Sequence, residues 1–301
     1  MTGIPDAPKW HATGLNNGPI VAATYYGVSH LPTWLTYNLG KGGTWLAYHL
    51  MKDGTGALLD NFAVMFPELS ERERRDLALR TYRSYARDVI DFIRSLRMTT
   101  AQTQALISRV ETTSLREAMA DGRGAILLSG HFGNWEIGGV LFRRVTPYAL
   151  SVVARPEASP AVTRLRQDMR TRLGIETIEV RQHLETALHL RGRLNNNEVV
   201  AMLLDRHFGK DYVDVSFFGR RTGFLRTPAL LAALSGAPLI PCFVYRDGGG
   251  FAVECGPAIR VAAEGDRDAN VREAIQAVAA QLESHGRRYP QYWYQFYPVW
   301  G

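Results

Sequence analysis

Apolar residues recur at helical intervals in the first third of the chain, after a clear start signal. Ser70 and Glu73 have the spacing of a capping box, in which each side chain bonds the backbone N–H of the other residue. The apolar positions that follow near helical spacing are Leu77, Tyr82, Tyr85, Val89, Phe92 and Ile93. Together they predict a long helix from about residue 71 to residue 96.

From Thr112 onward, short apolar runs alternate with helical segments. The predicted strands are 125–129, 150–154, 177–180, 199–204, 213–217, 238–245 and 251–261. The predicted helices between and after them are 136–144, 159–173, 184–194, 227–234 and 271–288. This alternation predicts an α/β fold with a twisted, largely parallel or mixed central sheet of about seven strands, flanked by helices. In such sheets ligands bind beyond the carboxyl ends of the strands.

The N-terminal segment is rich in aromatic residues but repeatedly interrupted. Residues 19–51 carry several tryptophans and tyrosines, broken by Gly27, Pro32 and Lys41. No run reaches the roughly 18 apolar residues that suggest a membrane-spanning helix. Amphipathic aromatic side chains suit a helix lying in a membrane interface, and they suit equally a cover over the core. We therefore expect an N-terminal membrane-interface helical segment over residues 1–60 and one main domain over residues 61–301.

Composition and charge narrow the class of partner. Hydrophobic residues make up 46% of the chain and charged residues 21%, a balance typical of a folded domain rather than of a disordered one. Lys and Arg (35) exceed Asp and Glu (29), so the surface favours anionic partners such as phospholipid headgroups or phosphorylated donors. No RRM, helix-turn-helix or finger signature occurs, so we do not expect nucleic acid as a partner.

Two further features bear on compartment and chemistry. Cys242 and Cys255 form no metal-binding or redox motif and are interpreted as reduced core residues of a cytosolic protein. The N-terminal residues show no secretory signal pattern, so the protein is expected to stay inside the cell. The sequence contains no GxSxG elbow, HExxH, P-loop or GxGxxG motif, which argues against the corresponding hydrolase, zinc and nucleotide-binding classes.

The strongest candidate for chemistry follows the apolar run at 125–129. His131 falls at the carboxyl end of this predicted strand, next to Gly133, where the backbone can turn tightly. Asn134 is a suitable N-cap for the next helix, and Glu136 lies in its first turn, from which it can fold back toward His131. The pair can serve as a general base with its orienting carboxylate, or it can form a structural hydrogen bond at a strand-to-helix turn.

If His131 acts as a base, the pair suits transfer of an acyl group to an alcohol. A carboxylate at one ring nitrogen of His131 fixes the tautomer, so that the other nitrogen can remove a proton from a hydroxyl. The N–H groups at the helix start can hold an oxyanion or a phosphate. Arg155, Asp205 and Arg206 also follow predicted strands and belong at the same crevice, where an ion pair between Arg155 and Asp205 is the alternative to binding a phosphate.

The residues around His131 resemble a known signature. The run LLSGHFGNWE at 127–136 is similar to that of the bacterial lipid A biosynthesis acyltransferases, which belong to the lysophospholipid acyltransferase-like superfamily. Further segments that resemble the same family are 61–70, 153–156, 204–206 with 217–219, 227–229, 237–241 and 289–293. The resemblance therefore extends over most of the chain beyond residue 60, which would be an acyltransferase domain with a glycerolipid acyltransferase-like fold.

The resemblance implies a set of site residues and partners. His131 and Glu136 would be the catalytic pair, while Arg155, Asp205 and Arg206, with Gly133 and Asn134, would line the substrate cleft. The acyl donor would be acyl carrier protein or coenzyme A thioester, with no further cofactor and no metal. The acceptor would be a lipid A precursor or a related glycolipid, reached from an anionic membrane surface by a peripheral enzyme on the cytoplasmic face of the inner membrane.

The chain also departs from the family pattern. We do not expect in it the obvious N-terminal anchor of many members, and residues 294–297 replace the basic ending of the lipid A enzymes. Asp214 lies where the related mycobacterial mannoside acyltransferases have an acid, which makes it a rival partner of His131. Phosphatidylinositol mannoside, an aminolipid and a specialised-metabolite glycolipid are therefore alternative acceptors. A non-catalytic lipid-binding protein is the alternative of another class.

Overall fold

The structure is a computed structural model, and it describes residues 18–157, 159–180, 183–207 and 209–300. Its helices are α1 Gly18–His30, α2 Thr33–Leu50, α3 Lys52–Met65, α4 Glu71–Ser95, α5 Thr100–Gln104, α6 Thr113–Ala120, α7 Trp135–Val145, α8 Pro160–Arg172, α9 His183–Asn195, α10 Thr227–Ser235 and α11 Arg267–Arg288. Its strands are β1 Ile107–Glu111, β2 Ala125–Ser129, β3 Leu150–Ala154, β4 Ile175–Glu179, β5 Val199–Leu203, β6 Tyr212–Phe217, β7 Arg220–Leu225, β8 Leu239–Asp247 and β9 Gly250–Cys255.

A mixed sheet of seven strands, in the order β1-β9-β8-β2-β5-β3-β4, forms the centre of the fold. Strands β8, β2, β5, β3 and β4 run parallel to one another, whereas β9 pairs antiparallel with β8. Helices flank the sheet, and the N-terminal part is helical. The α/β prediction from the alternating pattern is therefore confirmed.

One predicted sheet member was assigned wrongly. The run at 213–217 belongs to β6, which pairs with β7 as a separate two-stranded hairpin. The seventh strand of the central sheet is instead β1, which pairs in parallel with β9 at the sheet edge. Four of the five residues of β1 are exposed, so no apolar alternation marks it in the sequence.

The long helix predicted from the capping box is present as α4. Ser70 donates its backbone N–H to Glu73 Oε2 at 2.8 Å, and Glu73 donates its backbone N–H to Ser70 Oγ at 3.3 Å. These reciprocal bonds satisfy N–H groups that the first helical turn leaves unpaired. The helix then buries Leu77, Tyr82 and Ile93 in the core, so the apolar stripe of the sequence is its inner face.

The central strand β2 explains where the candidate site forms. Ile126 and Leu128 are fully buried, between β5 on one side and β8 on the other. A strand with neighbours on both sides and helices on both faces needs apolar side chains throughout, as the run at 125–129 has. The same burial fixes the carboxyl end of β2, and the residues after it, against the ends of β5 and β8.

Helices α1 and α2 carry large apolar side chains on their outer surface. The most exposed are Tyr26, Trp34, Leu39, Trp45, Leu46 and Leu50, each at least half accessible to solvent. Among the described residues, no helix combines the length and the apolar character needed to cross a bilayer. The boundary expected at residue 60 falls inside α3, and residues 1–17 of the expected N-terminal segment lie outside the described residues. Cys242 and Cys255, expected in the core, face each other across β8 and β9.

Candidate active site

Two parallel strands bring His131 and Asp205 together. In the pairing of β2 with β5, Ser129 lies opposite Leu203, and His131 and Asp205 each follow two residues later. His131 Nδ1 lies 2.7 Å from Asp205 Oδ1, and the backbone N–H of His131 donates to Asp205 Oδ2 at 2.8 Å. The carboxylate therefore fixes both the backbone and the ring of the histidine.

Asp205 is held as an ion by donors from another part of the chain. Its side chain has no exposed surface, and Oδ2 also accepts from Trp293 Nε1 at 3.0 Å and from Gln295 Nε2 at 2.5 Å. Burial acts to raise the pKa of Asp205, but His131, together with the charge of Arg206, outweighs it and lowers the pKa to about 2. Because an ionised carboxylate only accepts hydrogen bonds, Nδ1 of His131 carries the proton.

His131 is consequently a neutral imidazole whose ring is held by Asp205. Its side chain is 19% exposed, and Nε2 makes no hydrogen bond with the described residues. Burial and the positive charge of Arg206 lower the pKa of His131, while Asp205 acts in the opposite direction. At neutral pH the lone pair of Nε2 is thus available for a proton.

Glycines allow the chain to turn around the histidine. A Cβ atom on Gly130 would lie 2.7 Å from Asp205 Oδ2. Gly133 has a φ of +61°, and its Cβ would lie 2.0 Å from the carbonyl oxygen of Val244. Contacts this short leave no room for a side chain, so the approach of the turn to Asp205 depends on Gly130 and its approach to Val244 depends on Gly133.

Gly133 and Asn134, expected to bind substrate, hold the turn between β2 and α7. The backbone N–H groups of Gly133 and Asn134 donate to the carbonyls of Tyr292 and Val244, both at 2.7 Å. The side chain of Asn134 is buried, accepts from the N–H of Ile137 at 3.1 Å as the N-cap of α7, and donates to the carbonyl of Asp88 at 3.0 Å. Because these two amides already have acceptors, they cannot hold an oxyanion without breaking the turn.

Glu136, the first expected partner of His131, is paired elsewhere. Its Oε1 lies 2.5 Å from Nη2 of Arg170 and 3.9 Å from Nη1 of Arg166, both on α8. Burial acts to raise the pKa of Glu136, but Arg170 and Arg166 outweigh it and hold the pKa below the usual value. The carboxylate that bonds the imidazole is therefore Asp205, because two arginines draw Glu136 toward α8.

Asp214, the rival partner, lies on the hairpin of β6 and β7. It forms an ion pair with Arg221 on the neighbouring strand. Both residues line an open groove of about 770 Å³, whose walls also include Arg220 and Arg272 but not His131. The geometry thus excludes Asp214 as the group bonded to the imidazole, because it faces the arginines of the hairpin.

Comparison with known proteins shows the family of the chain. The family described as bacterial lipid A biosynthesis acyltransferase matches residues 10–301. The chain belongs to that family. It is therefore an acyltransferase, and the resemblance drawn from residues 127–136 and the later segments is confirmed.

Individual relatives carry two different names. A phosphatidylinositol mannoside acyltransferase of Mycolicibacterium smegmatis is 28% identical over 230 residues, covering 75% of this chain and 72% of the relative. Its counterpart in Mycobacterium tuberculosis strain H37Rv is 30% identical over 190 residues, or 62% of this chain and 57% of the relative. The lipid A biosynthesis lauroyltransferase of Escherichia coli K12 is 28% identical over 275 residues, 86% of each chain.

In this acyltransferase, Arg206 binds the C-terminal segment. Arg206 donates to Gln295 Oε1 and to the carbonyl of Tyr294, both at 3.0 Å, and its guanidinium lies 4.7 Å from the ring centre of Tyr297. Arg155, at the end of β3, is partly buried, and this burial lowers its pKa. Both arginines thus lie at strand ends as expected, but Arg206 mainly holds residues 294–297 in place.

The C-terminal segment is the part of the acyltransferase site that the sequence interpretation missed. Trp293 and Gln295 bind the Asp205 carboxylate, and the N–H of Tyr294 donates to the carbonyl of His131 at 2.7 Å. The available signal is compositional, because residues 289–297 concentrate six aromatic side chains just after a long helix. Such a density of aromatics is typical of a packed segment rather than of a loose tail.

The surroundings of His131 are aromatic and cationic. The ring of Trp135 packs edge-on at 5.4 Å between ring centres, and Tyr294 lies 6.2 Å from Trp135. The positive charge of Arg166 adds to the lowering of the pKa of His131. Within the described ranges, no three His, Cys, Asp or Glu side chains are grouped as metal ligands.

Proposed function

We propose that this acyltransferase moves a fatty acyl group from an acyl thioester to a hydroxyl of a membrane glycolipid, with His131 as general base. Asp205 is the positioning residue that orients the base. The observation that supports this assignment is the 2.7 Å contact of His131 Nδ1 with a buried carboxylate, while Nε2 has no partner among the described residues. This is the arrangement that general-base chemistry needs.

The reaction proceeds by direct attack. Nε2 of His131 takes the proton of the acceptor hydroxyl as its oxygen attacks the thioester carbonyl, forming a tetrahedral oxyanion. Collapse of this intermediate breaks the carbon–sulfur bond, and the departing thiolate takes the proton back from the imidazolium. Asp205 stabilises the imidazolium in between. We assign stabilisation of the oxyanion to the cations of the cleft, Arg166 and Arg155.

The acceptor proposed is a sugar-bearing lipid. The relatives named above are a phosphatidylinositol mannoside acyltransferase and a lipid A lauroyltransferase, whose names share a glycosylated lipid. A phosphatidylinositol mannoside is our first choice, ahead of a lipid A precursor, because residues 294–297 depart from the ending of the lipid A enzymes. Incubating the protein with each lipid, an aminolipid and labelled acyl thioesters, with mass analysis of products, identifies acceptor and donor.

We place the enzyme on the membrane surface as a peripheral protein, on the cytoplasmic face of the inner membrane. The exposed apolar side chains of α1 and α2 support this placement, since an amphipathic helix of that kind lies in the headgroup region. The acyl thioester, from carrier protein or coenzyme A, would then arrive from the aqueous side.

Replacing the base tests the proposal directly. We expect His131→Ala to lower kcat by at least about 1,000-fold, because both proton transfers lose their carrier. Release of labelled thiol and formation of acylated lipid are measured together, with circular dichroism to show that the variant is folded. A folded variant that keeps a tenth of the wild-type activity removes His131 from the mechanism.

The neighbouring carboxylates provide matched controls. Asp205→Asn keeps the size of the side chain but removes the charge that orients His131, and we expect a loss of roughly 100-fold or more in kcat. Asp214→Asn makes the same chemical change on the hairpin and should leave kcat within about twofold. A wild-type protein that binds the lipids but turns over none of the thioesters would instead support the non-catalytic lipid-binding alternative.

A further inference from the structure

A second cavity, of about 360 Å³, lies between α2 and α4 and is closed by the end of β8. Its walls include Lys41 from α2, Arg83 and Arg87 from α4, and Arg246 from β8. His131 is not among its lining residues, so this α2–α4 cavity is separate from the site of acyl transfer. Its volume is in the range of small-molecule sites and is sufficient for a phosphate with part of its headgroup.

The cations of the α2–α4 cavity are only partly neutralised. Arg246 forms an ion pair with Asp91, but its buried Nε–H meets no acceptor among the described residues. Burial lowers the pKa of Arg246, and the positive charge of Arg87 lowers it further. Two guanidinium groups that repel each other, with an unused donor, favour an anion between them.

Asp88, the acidic residue among the lining residues, cancels only part of this charge, because four cations line the cavity. The carboxyl group of Asp88 accepts from Tyr294 Oη at 2.6 Å and is buried. Burial raises the pKa of Asp88 to about 6, because Tyr294, Arg246 and Arg87 offset it only in part. Lys41 and Arg83 are exposed, and Arg87 stacks over the ring of Tyr37 at 5.4 Å.

The position of the cavity indicates where the anion comes from. Lys41 belongs to α2, the helix that also presents Trp34, Leu39 and Trp45 to solvent. A helix that lies in the headgroup region through such side chains brings its own lysine, and the arginines beside it, to the level of lipid phosphates. We propose that the α2–α4 cavity binds the phosphate of an anionic membrane lipid through Lys41, Arg83, Arg87 and Arg246.

Binding to vesicles tests this assignment. Wild-type protein is titrated with vesicles of phosphatidylcholine alone and of phosphatidylcholine mixed with phosphatidylglycerol, and binding is measured by flotation. We expect Arg83→Gln with Arg87→Gln to weaken binding to the anionic vesicles by about 30-fold. The matched control is Arg72→Gln with Arg80→Gln, which removes two exposed charges from the same helix outside the cavity. It should change binding by less than about threefold.

A second variant distinguishes binding in the cavity from binding to a diffuse basic surface. Ala86 lines the cavity, so Ala86→Phe fills it while keeping every charge. We expect this variant, shown to be folded by its melting temperature, to lose the preference for anionic vesicles. The proposal is overturned if Ala86→Phe binds like wild type and the cavity double variant binds like its control.

Soluble anions distinguish lipid phosphate from free phosphate. Inorganic phosphate and glycerol 3-phosphate are titrated calorimetrically into wild type and into the cavity double variant. Weak binding of both, competed by anionic vesicles, supports a lipid headgroup. Binding of inorganic phosphate that depends on Arg83 and Arg87, without any preference for anionic vesicles, would overturn the assignment to a lipid.

Discussion

At the residue scale, His131 is fixed by contacts that converge from distant parts of the sequence. Asp205 accepts from its ring and its backbone, and Trp293 and Gln295 hold Asp205 in turn. Arg206 adds a positive charge that acts on the ring. The consequence is a histidine whose pKa is set by its burial and by two neighbours of opposite charge, Arg206 and Asp205.

This balance predicts how activity depends on pH. A general base must be neutral, so kcat/KM should rise with pH through the pKa of His131 and level off above it. Burial and Arg206 lower that pKa, so the acid limb should lie below the usual range of histidine. Arg206→Gln removes one of the influences that lower the pKa, and the midpoint of the limb should therefore move to higher pH. The measurement is a pH profile of kcat/KM with a soluble thioester.

The conservative variant serves as the control for that profile. Arg206→Lys keeps the positive charge and should leave the midpoint near that of wild type, even if packing against Tyr297 suffers. An unchanged midpoint in Arg206→Gln, with normal folding, would contradict the electrostatic account of His131.

The sequence located most of these residues but not their pairing. His131, Asp205 and Arg206 were all placed at strand ends, and the structure puts them there. The first partner predicted for His131 is Glu136, because that residue is near in sequence. Identifying Asp205 required knowing that β2 lies beside β5, which depends on strand order and is not written in any local pattern.

At the element scale, the turn between β2 and α7 is the least replaceable piece of backbone. Gly133 is in the left-handed region, and its amide bonds Tyr292. The start of α7 is anchored by Asn134, which bonds Ile137 and α4 at once. Its glycines and its N-cap predict this turn from the sequence. The sequence does not predict β1 or the separation of the β6–β7 hairpin from the central sheet, because exposed or locally paired strands leave no signal of burial in the central sheet.

Two glycines with similar backbone angles test the importance of this turn. Gly133 and Gly122 have φ values of +61° and +72°, but a Cβ would collide with Val244 only at Gly133 and would meet nothing within 4 Å at Gly122. We expect Gly122→Ala to lower the free energy of unfolding by about 1 kcal/mol, and Gly133→Ala by at least about 3 kcal/mol. Urea denaturation of both variants measures the difference; equal losses would show that the approach to Val244 is unimportant.

At the scale of the whole molecule, the enzyme has an apolar face that its own core does not cover. This face lies on α1 and α2, whereas His131 lies at the carboxyl ends of β2 and β5. The sequence predicted an interfacial segment from aromatic content and from the absence of a long apolar run. It could not show which side chains point outward, because that depends on how α2 packs against α4.

Leucines of similar exposure allow a matched test of membrane contact. Leu39 and Leu50 of α2 are 57% and 70% exposed, and Leu188 and Leu234 of α9 and α10 are 59% and 64% exposed. Changing the first pair to serine should weaken binding to phosphatidylcholine vesicles by roughly 30-fold or more, since leucine loses about 1–2 kcal/mol of transfer free energy at each position. The second pair should leave flotation unchanged; equal effects of the two pairs would contradict a docking face on α2.

The C-terminal donors to Asp205 also determine when the active centre can form. His131 and Asp205 are 74 positions apart, and Asp205 is separated from Trp293 and Gln295 by 88 and 90 positions. Contacts between such remote segments form after local structure during folding, because closing long loops costs conformational entropy first. The helices of this chain should therefore be present before the histidine acquires its orientation, and catalytic competence belongs to the last steps of folding.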